Sequence, residues 1–572
     1  MKLTPSGVVL GLSPKRAANG KLLMDGSSAV QVEGKLQVAI AEERVTGLKR
    51  EGGWRLSSEY CLSAAGLSNR DVSSVVISTC TDEVGDTGPE IQAIREAFPS
   101  ASFHHVSHHL SHAAYGFATS PFDRALVVVS DAGGNTLERG GDRWWEASRE
   151  QTSYYIATED SIQLVDREFE RPGAVGFGES FRAITYYLGW FSDLKANKTM
   201  ALSGFGDAHR LGISSLFASD ASGKLSGLLA CDPLSPVGMV RKSMSGALSR
   251  KVPARPPDAE FLQEHSDLAA LMQMSYESAL IDRVGALCEK YSVRNVCLSG
   301  GVAYNCQANS ALARVDGLRT WVPAAPGDTG QSLGNCIALS GFDIDRDSYG
   351  RRFLGGDSSV RRLPFVHGSR VIGPVPLSAP SAVIASHLLQ SGVVIGNMRG
   401  PSEFGARALG NRSIFVDPTD RAVATRLNAG KERESFLPFA GAILEERLSN
   451  FFTDTMNSPY MQYVHKANSE GSARLKGVLH VDGTSRMQTV DSSPETAWLR
   501  ELLEHQYRHT GIPVVLNTSL NGGGKPIAEV VADALPLLEA GLIDVLLVGE
   551  HGYFLEVSYA RYRELNPDCG LG

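Results

Sequence analysis

Short apolar runs, each closed by turn residues, alternate along this chain with stretches of helical spacing. Val8-Val-Leu-Gly-Leu12 reads as a buried strand ending in Ser13. Ser28 to Glu33 and Leu36 to Ala41 flank the turn Gly34-Lys35, which predicts a hairpin delivering Glu42, Glu43 and Arg44 to a strand end. A helix is expected over Ser57–Ala65, and strands over Val75–Ser78 and Arg124–Ser130, the last running into Asp131. A hairpin meander follows from about Asp142 to Val165, and then a helix that starts after Gly176-Phe-Gly-Glu179. Its aromatics Phe181, Tyr186, Tyr187 and Trp190 read as core. Residues from about Asp220 to Asp258 carry five prolines and little periodicity, and read as loop. A long helix from about Ala259 to Tyr291 leads to strands at Val293–Ser299 and Arg319–Val322 and a small-residue helix, Ser332–Ser340. The second half resumes with a helix at Ser381–Leu389 and strands at Val393–Gly396 and Pro513–Leu516. Such alternation predicts α/β architecture.

At 572 residues the chain exceeds what one core supports. The expected division is a first domain at 1–345, a linker at 346–377 and a second domain at 378–572. A net charge of −8 does not advertise nucleic acid or an anionic membrane as partner. No apolar run is long enough to span a bilayer, and Met1-Lys-Leu-Thr-Pro5 does not read as a signal peptide. The cysteines (Cys61, Cys80, Cys231, Cys288, Cys297, Cys306, Cys336, Cys569) form no CxxC pair, which points to reduced, mostly buried thiols in a cytoplasmic protein. Oligomeric state is not legible.

Chemistry concentrates at Phe103-His-His-Val-Ser-His-His-Leu-Ser-His-Ala113, where five of the fourteen histidines fall within nine residues. On a helix His108 and His112 share one face, and His105 and His109 form a second such pair, so spacing leaves two registers open. Asp131 is a natural third ligand, and two imidazoles with a carboxylate suit Fe(II) or a similar divalent ion. Gly133 and Gly134 beyond it offer backbone amides to a phosphate or a ligand loop. Lys198 is a candidate contact for phosphate or carboxylate. Strand, glycine pair and helix start recur at Gly300, Gly301 and Asn305, which suits a nucleotide phosphate or ribose. Asp328 sits in a Gly/Pro loop, where a second metal carboxylate competes with a helix cap. Downstream, Arg399, Arg407 and Arg412 crowd a glycine-rich loop, and Lys431, Arg433, Arg486, Asn517 and Asn521 stand at later turns. Arginine with Gly/Asn turns points to an anionic, phosphorylated ligand.

Taken in order, Ala41-Glu-Glu-Arg44, His108-His-Leu-Ser-His112-Ala, Asp131, Ser299-Gly-Gly-Val302, Gly327-Asp328, Glu403-Phe-Gly-Ala-Arg407-Ala-Leu-Gly-Asn-Arg412-Ser, His480-Val-Asp-Gly-Thr-Ser-Arg486 and Asn517-Thr-Ser-Leu-Asn521 resemble the nodulation-type O-carbamoyltransferase family, from about residue 8 to 557. The resemblance implies a two-lobed actin-like ATPase domain, similar to tRNA threonylcarbamoyl transferases, followed by a YrdC-like α/β domain. It implies that the second domain makes carbamoyl-adenylate from carbamoyl phosphate and ATP, with Mg2+. The first would pass the carbamoyl group to a small-molecule hydroxyl beside Fe(II). By motif, His108, His112, Asp131 and Asp328 become metal ligands. Arg407, Lys431 and Arg486 become carbamoyl-phosphate and adenylate contacts, with Asn517 and Arg412 behind them. Two departures stand out. Met24 occupies the place of a family histidine beside the acceptor, leaving Asp25 as substitute base. Leu437-Pro-Phe-Ala-Gly441 replaces Arg-Pro-Phe-Ala-Pro, with Arg433 nearby to compensate. The rival expectations are a tRNA-modifying threonylcarbamoyl enzyme and a catalytically silent ATP- and metal-binding regulator.

Overall fold

The structure is a computed structural model. It describes residues 7–14, 24–80, 89–137, 148–169, 176–192, 195–219, 225–227, 251–341, 343–356, 363–364, 366 and 370–565. The first residues of the chain, the opening of the meander at Asp142, most of the 220–258 loop, Cys231 and Cys569 lie outside them. The chain divides into two compact units: Met1–Lys21, Gln31–Lys35 and Val72–Gly350 form one, and Leu22–Val30, Leu36–Asp71 and Arg351–Gly572 the other.

In the first unit the apolar runs become parallel strands. Val8–Ser13 pairs with Val72–Thr79, which pairs with Ser102–Ser107. A second sheet is built on Arg124–Ser130, parallel to Asn295–Ser299 and antiparallel to Ser148–Thr158. Arg319–Trp321 and Ser161–Phe169 extend it on either side. Val127 and Val129 point into one core with Ala113, Phe117 and Tyr155, all buried, as period-two alternation requires. Helices His108–Ala118 and Gln331–Ser340 pack together, and the second also lies on Val8–Ser13. Glycines make that closeness feasible: a Cβ on Gly334 would fall 2.0 Å from the Ser111 carbonyl oxygen, and one on Gly11 would fall 2.0 Å from that of Ser332.

The second unit is a sheet of eight strands in the order Val371–Pro376, His551–Leu555, Val545–Val548, Ile395–Met398, Arg412–Val416, Val514–Ser519, Ala440–Leu444 and Met487–Val490. Alternate residues of a strand enter different cores. Ile414 and Val416 join Leu427, Leu516 and Leu538, whereas Phe415 joins Leu388, Leu502 and Val515. Both faces are therefore covered, which explains why these strands read as unbroken apolar runs.

Described residues at both ends of the stretch expected to be a linker belong to regular elements. Arg346–Tyr349 is helical, and Arg346 donates to the carbonyls of Phe117, Ala118 and Ser120 at the end of the histidine helix. Val371–Pro376 is an edge strand, and buried Arg352 is paired with Asp491 and Glu495.

Candidate functional site

The histidine register is decided by where the helix begins. Ser102–Ser107 is a strand, so His104 and His105 are not helical. Ser107 caps the helix, its side chain accepting from Leu110 N, a favoured role for serine. His108 and His112 then lie one turn apart, with ring centroids 4.9 Å from each other. His109 points elsewhere: it is fully buried, its Nδ1 sits 2.7 Å from Ser153 Oγ, and burial holds its pKa well below the usual imidazole value.

Two carboxylates converge on the histidine pair. His108 Nε2 lies 3.1 Å from Asp131 Oδ2 and 3.4 Å from Asp328 Oδ1. His112 Nε2 lies 3.3 Å from each of the same oxygens. Asp131 ends the strand Arg124–Ser130, and Asp328 opens the turn before helix Gln331–Ser340, so the helix-cap reading of that loop gives way to the cluster. Gly300 and Gly301 serve approach. Gly300 has φ +87° with the Ser130 carbonyl oxygen 2.2 Å from where a Cβ would stand, and a Cβ on Gly301 would lie 2.9 Å from Asp131 Oδ1. Burial and Asp328 push the Asp131 carboxyl up, but bonds from His108 and His112 overcome them and hold it well below the usual range.

Among the described residues, these four form a group of His, Cys, Asp or Glu whose donor atoms all lie within 4.8 Å of one another. Two neutral imidazoles and two carboxylates carry a charge of −2, which a divalent cation balances. Spacings of 3.1–3.4 Å are those of adjacent donors around one ion bound at about 2.1 Å. The donor set fits a divalent metal, with solvent reaching it past Asp328, whose side chain is 26% exposed. Gln331 and Cys80 carried no spacing signature that marked them as neighbours of this cluster. Gln331 Nε2 lies 2.9 Å from His112 Nε2 and 3.3 Å from Asp328 Oδ1, and Cys80 Sγ lies 3.4 Å from His108 Nδ1.

In the second unit, cations gather. Lys431 is buried, its Nζ donating to the carbonyls of Ser519 (2.6 Å) and Asn521 (2.9 Å) and to Asn521 Oδ1 (2.7 Å). Burial, then Arg433 and Lys49, drive its pKa well down. Burial and Arg407 push Arg433 down to about 10. The charges acting on these two side chains are thus positive, a potential suited to a polyanion. Lys49 was not foreseen in the sequence. Asn517 is buried, donating to Ala408 O at 3.2 Å and Gln488 Oε1 at 2.9 Å. Arg486 is half-buried, its carbonyl accepting from Gly441 N. Leu437 is buried, and Arg433 donates to the Pro438 carbonyl at 3.2 Å, beside that departure.

Several expected contacts are committed to the scaffold. Fully buried Arg412 donates to the carbonyls of Arg399, Gly400, Asn411 and Glu529, holding the arginine loop rather than facing a ligand. Asn305 caps helix Cys306–Ala313 and exchanges hydrogen bonds with Gln273. The Gly134 amide is taken by the Glu150 carbonyl at 2.8 Å, and a Cβ on Gly133 would overlap the Arg149 guanidinium. Lys198 lies within helix Ala196–Leu202, its Nζ 5.8 Å from the Trp190 ring. Asp25 is held in a bidentate ion pair with Arg50, which protonation would break. Met24 is partly exposed.

Residues 91–337 match the carbamoyltransferase N-terminus family and residues 386–554 the carbamoyltransferase C-terminus family. The chain is 28% identical to nodulation protein NolNO of Sinorhizobium fredii, over 92% of this chain and 78% of that protein. It is 30% identical to nodulation protein NolO of Bradyrhizobium diazoefficiens, over 78% of each. A crystal structure of full-length HypF in a phosphate- and nucleotide-bound form shares 12% identity over 59% of this chain and 56% of that one, at a TM-score of 0.35. With both halves matched in order and NolO aligned over most of its length, the chain belongs to the carbamoyltransferase family.

Proposed function

We propose that this carbamoyltransferase uses ATP and carbamoyl phosphate to make carbamoyl-adenylate and transfers the carbamoyl group to a hydroxyl of a small-molecule natural product. Joining the carbamoyl group to AMP consumes one water and releases both phosphate and pyrophosphate. The cations Lys49, Arg407, Lys431 and Arg433 would neutralise those phosphates, since the burial and positive neighbours that depress Lys431 and Arg433 make an anionic substrate favourable there. In the first unit His108, His112, Asp131 and Asp328 would hold Fe(II). The bound metal supplies Lewis acidity toward a carbonyl oxygen. The observation that carries the reading is the convergence of those four donors. Adenylation gives the carbamoyl carbon a good leaving group, and the attacking hydroxyl must lose its proton. With Asp25 paired to Arg50, we assign no base to that proton.

The test is direct. Protein loaded with Fe(II) is mixed with ATP and carbamoyl phosphate, and pyrophosphate and carbamoyl-adenylate are followed by mass. Both are expected, and both should vanish in Arg407→Ala. If folded, metal-loaded protein yields neither, activation is lost and the silent regulator, favoured by Met24 and Leu437, takes precedence.

A further inference from the structure

His108 and Asp131 come from different elements, yet buried groups outside the four donors tie their backbones together. Asn135 follows Asp131 by four residues, and its Oδ1 accepts the backbone N–H of His108 at 2.8 Å. That N–H belongs to the first turn of the helix, where no intrahelical acceptor exists. The Asn135 backbone N–H donates to Glu150 Oε2 at 3.1 Å. Main-chain bonds from Gly134 N to Glu150 O (2.8 Å) and from Glu150 N to Asn135 O (2.9 Å) fasten the turn to strand Ser148–Thr158. Glu150 is 2% exposed, and Arg167 Nε lies 3.0 Å from its Oε1. Space is equally constrained: a Cβ on Gly134 would stand 2.5 Å from His109 Nε2 and 2.8 Å from Glu150 Oε2.

We propose that Asn135 and Glu150 are positioning residues for the metal centre, locking the Asp131 turn to the first turn of the histidine helix and so setting the separation of His108 from Asp131. The inference rests on the reading of His108, His112, Asp131 and Asp328 as ligands of a divalent metal. Asn135 acts through the His108 backbone and Glu150 acts through Asn135. Removing the Asn135 amide leaves a buried N–H without its acceptor and releases the turn that carries one of the two carboxylates. Groups that orient metal ligands in this way change metal affinity about 10- to 100-fold when lost.

The experiment titrates chelator-stripped, full-length protein with Co(II) and follows its visible absorption bands, which report the ligand field. For Asn135→Ala the expected result is binding about 10- to 100-fold weaker with a shifted spectrum, whereas Asn135→Asp, which keeps an acceptor for the His108 N–H, restores both. Wild-type affinity and spectrum in Asn135→Ala would overturn the proposal. Glu150→Ala decides the matter should Asn135→Ala fail to fold: it removes the acceptor of the Asn135 N–H while leaving Asn135 Oδ1 in place for the His108 N–H. Weakened Co(II) binding in it supports the assignment, and unchanged binding defeats it. A wild-type protein lacking a saturable Co(II) spectrum that His112→Ala abolishes sinks the metal reading itself, and this proposal with it.

Discussion

At the scale of single residues, the two histidines of one helix turn and their neighbour His109 have opposite fates. His112 Nε2 faces two carboxylate oxygens, while His109 Nδ1 faces Ser153. His112→Ala is therefore expected to lower divalent-metal affinity on the order of 100-fold or more, measured by competition with a chelator. His109→Gln should cost stability, through the lost Ser153 contact, and leave the ligand set complete. The cations of the second unit make a separate prediction. Burial and positive neighbours depress both Lys431 and Arg433. A bound phosphate lifts those pKa values back, so binding takes up protons, and affinity falls as pH rises through the depressed values, for Arg433 near 10. Calorimetry of carbamoyl phosphate binding at pH 9, in two buffers of different ionisation enthalpy, should give different heats. Equal heats would count against these residues as phosphate contacts.

At the scale of elements, glycine governs how closely the strands and helices around the histidine cluster meet. Gly300 combines φ +87° with a backbone oxygen 2.2 Å from its missing Cβ, so Gly300→Ala should destabilise the first unit by roughly 3 kcal/mol or more. Thermal unfolding would read this as a transition several degrees lower, and an unchanged midpoint would refute it. Elements were more legible than roles. Arg124–Ser130 was readable to the residue because its valines alternate between two buried faces. The histidine register was not legible in spacing alone, which cannot tell a helix from the strand before it; the family motif pointed to His108 and His112, and Ser107 as cap puts that pair in the first turns of the helix. Arg412 was expected behind the phosphate contacts, and in the folded chain it donates to four backbone carbonyls, partners that no spacing announces. Gln331 and Asn135 were invisible: amides have no characteristic spacing, and Gln331 meets His108 across 223 residues of sequence. The stretch 346–377 reads as a linker from its glycines and prolines; of its described residues, Val371–Pro376 is an edge strand and Arg352 is buried, positions set by tertiary contacts.

At the scale of the whole molecule, the metal donors all belong to one unit and the cation cluster to the other. If the first transfers and the second activates, the two halves of the chemistry should separate by mutation. Asp131→Asn is expected to retain carbamoyl-phosphate-dependent pyrophosphate release while losing carbamoylated product, and Lys431→Met to lose both. Pyrophosphate assay and product mass on the same samples check this, and loss of pyrophosphate release in Asp131→Asn would contradict the division of labour. The division also shapes how the protein is made. Arg44, buried in the second unit, donates to the carbonyls of Glu403, Gly405 and Ile527, the last 483 residues farther on. At translation speeds of about 5–20 residues per second, Ile527 leaves the ribosome roughly 25 to 100 s after Arg44 does. Arg44 thus spends most of synthesis before these acceptors exist, and the chain expressed from Arg351 onward alone would lack the unit's early-made segments Leu22–Val30 and Leu36–Asp71.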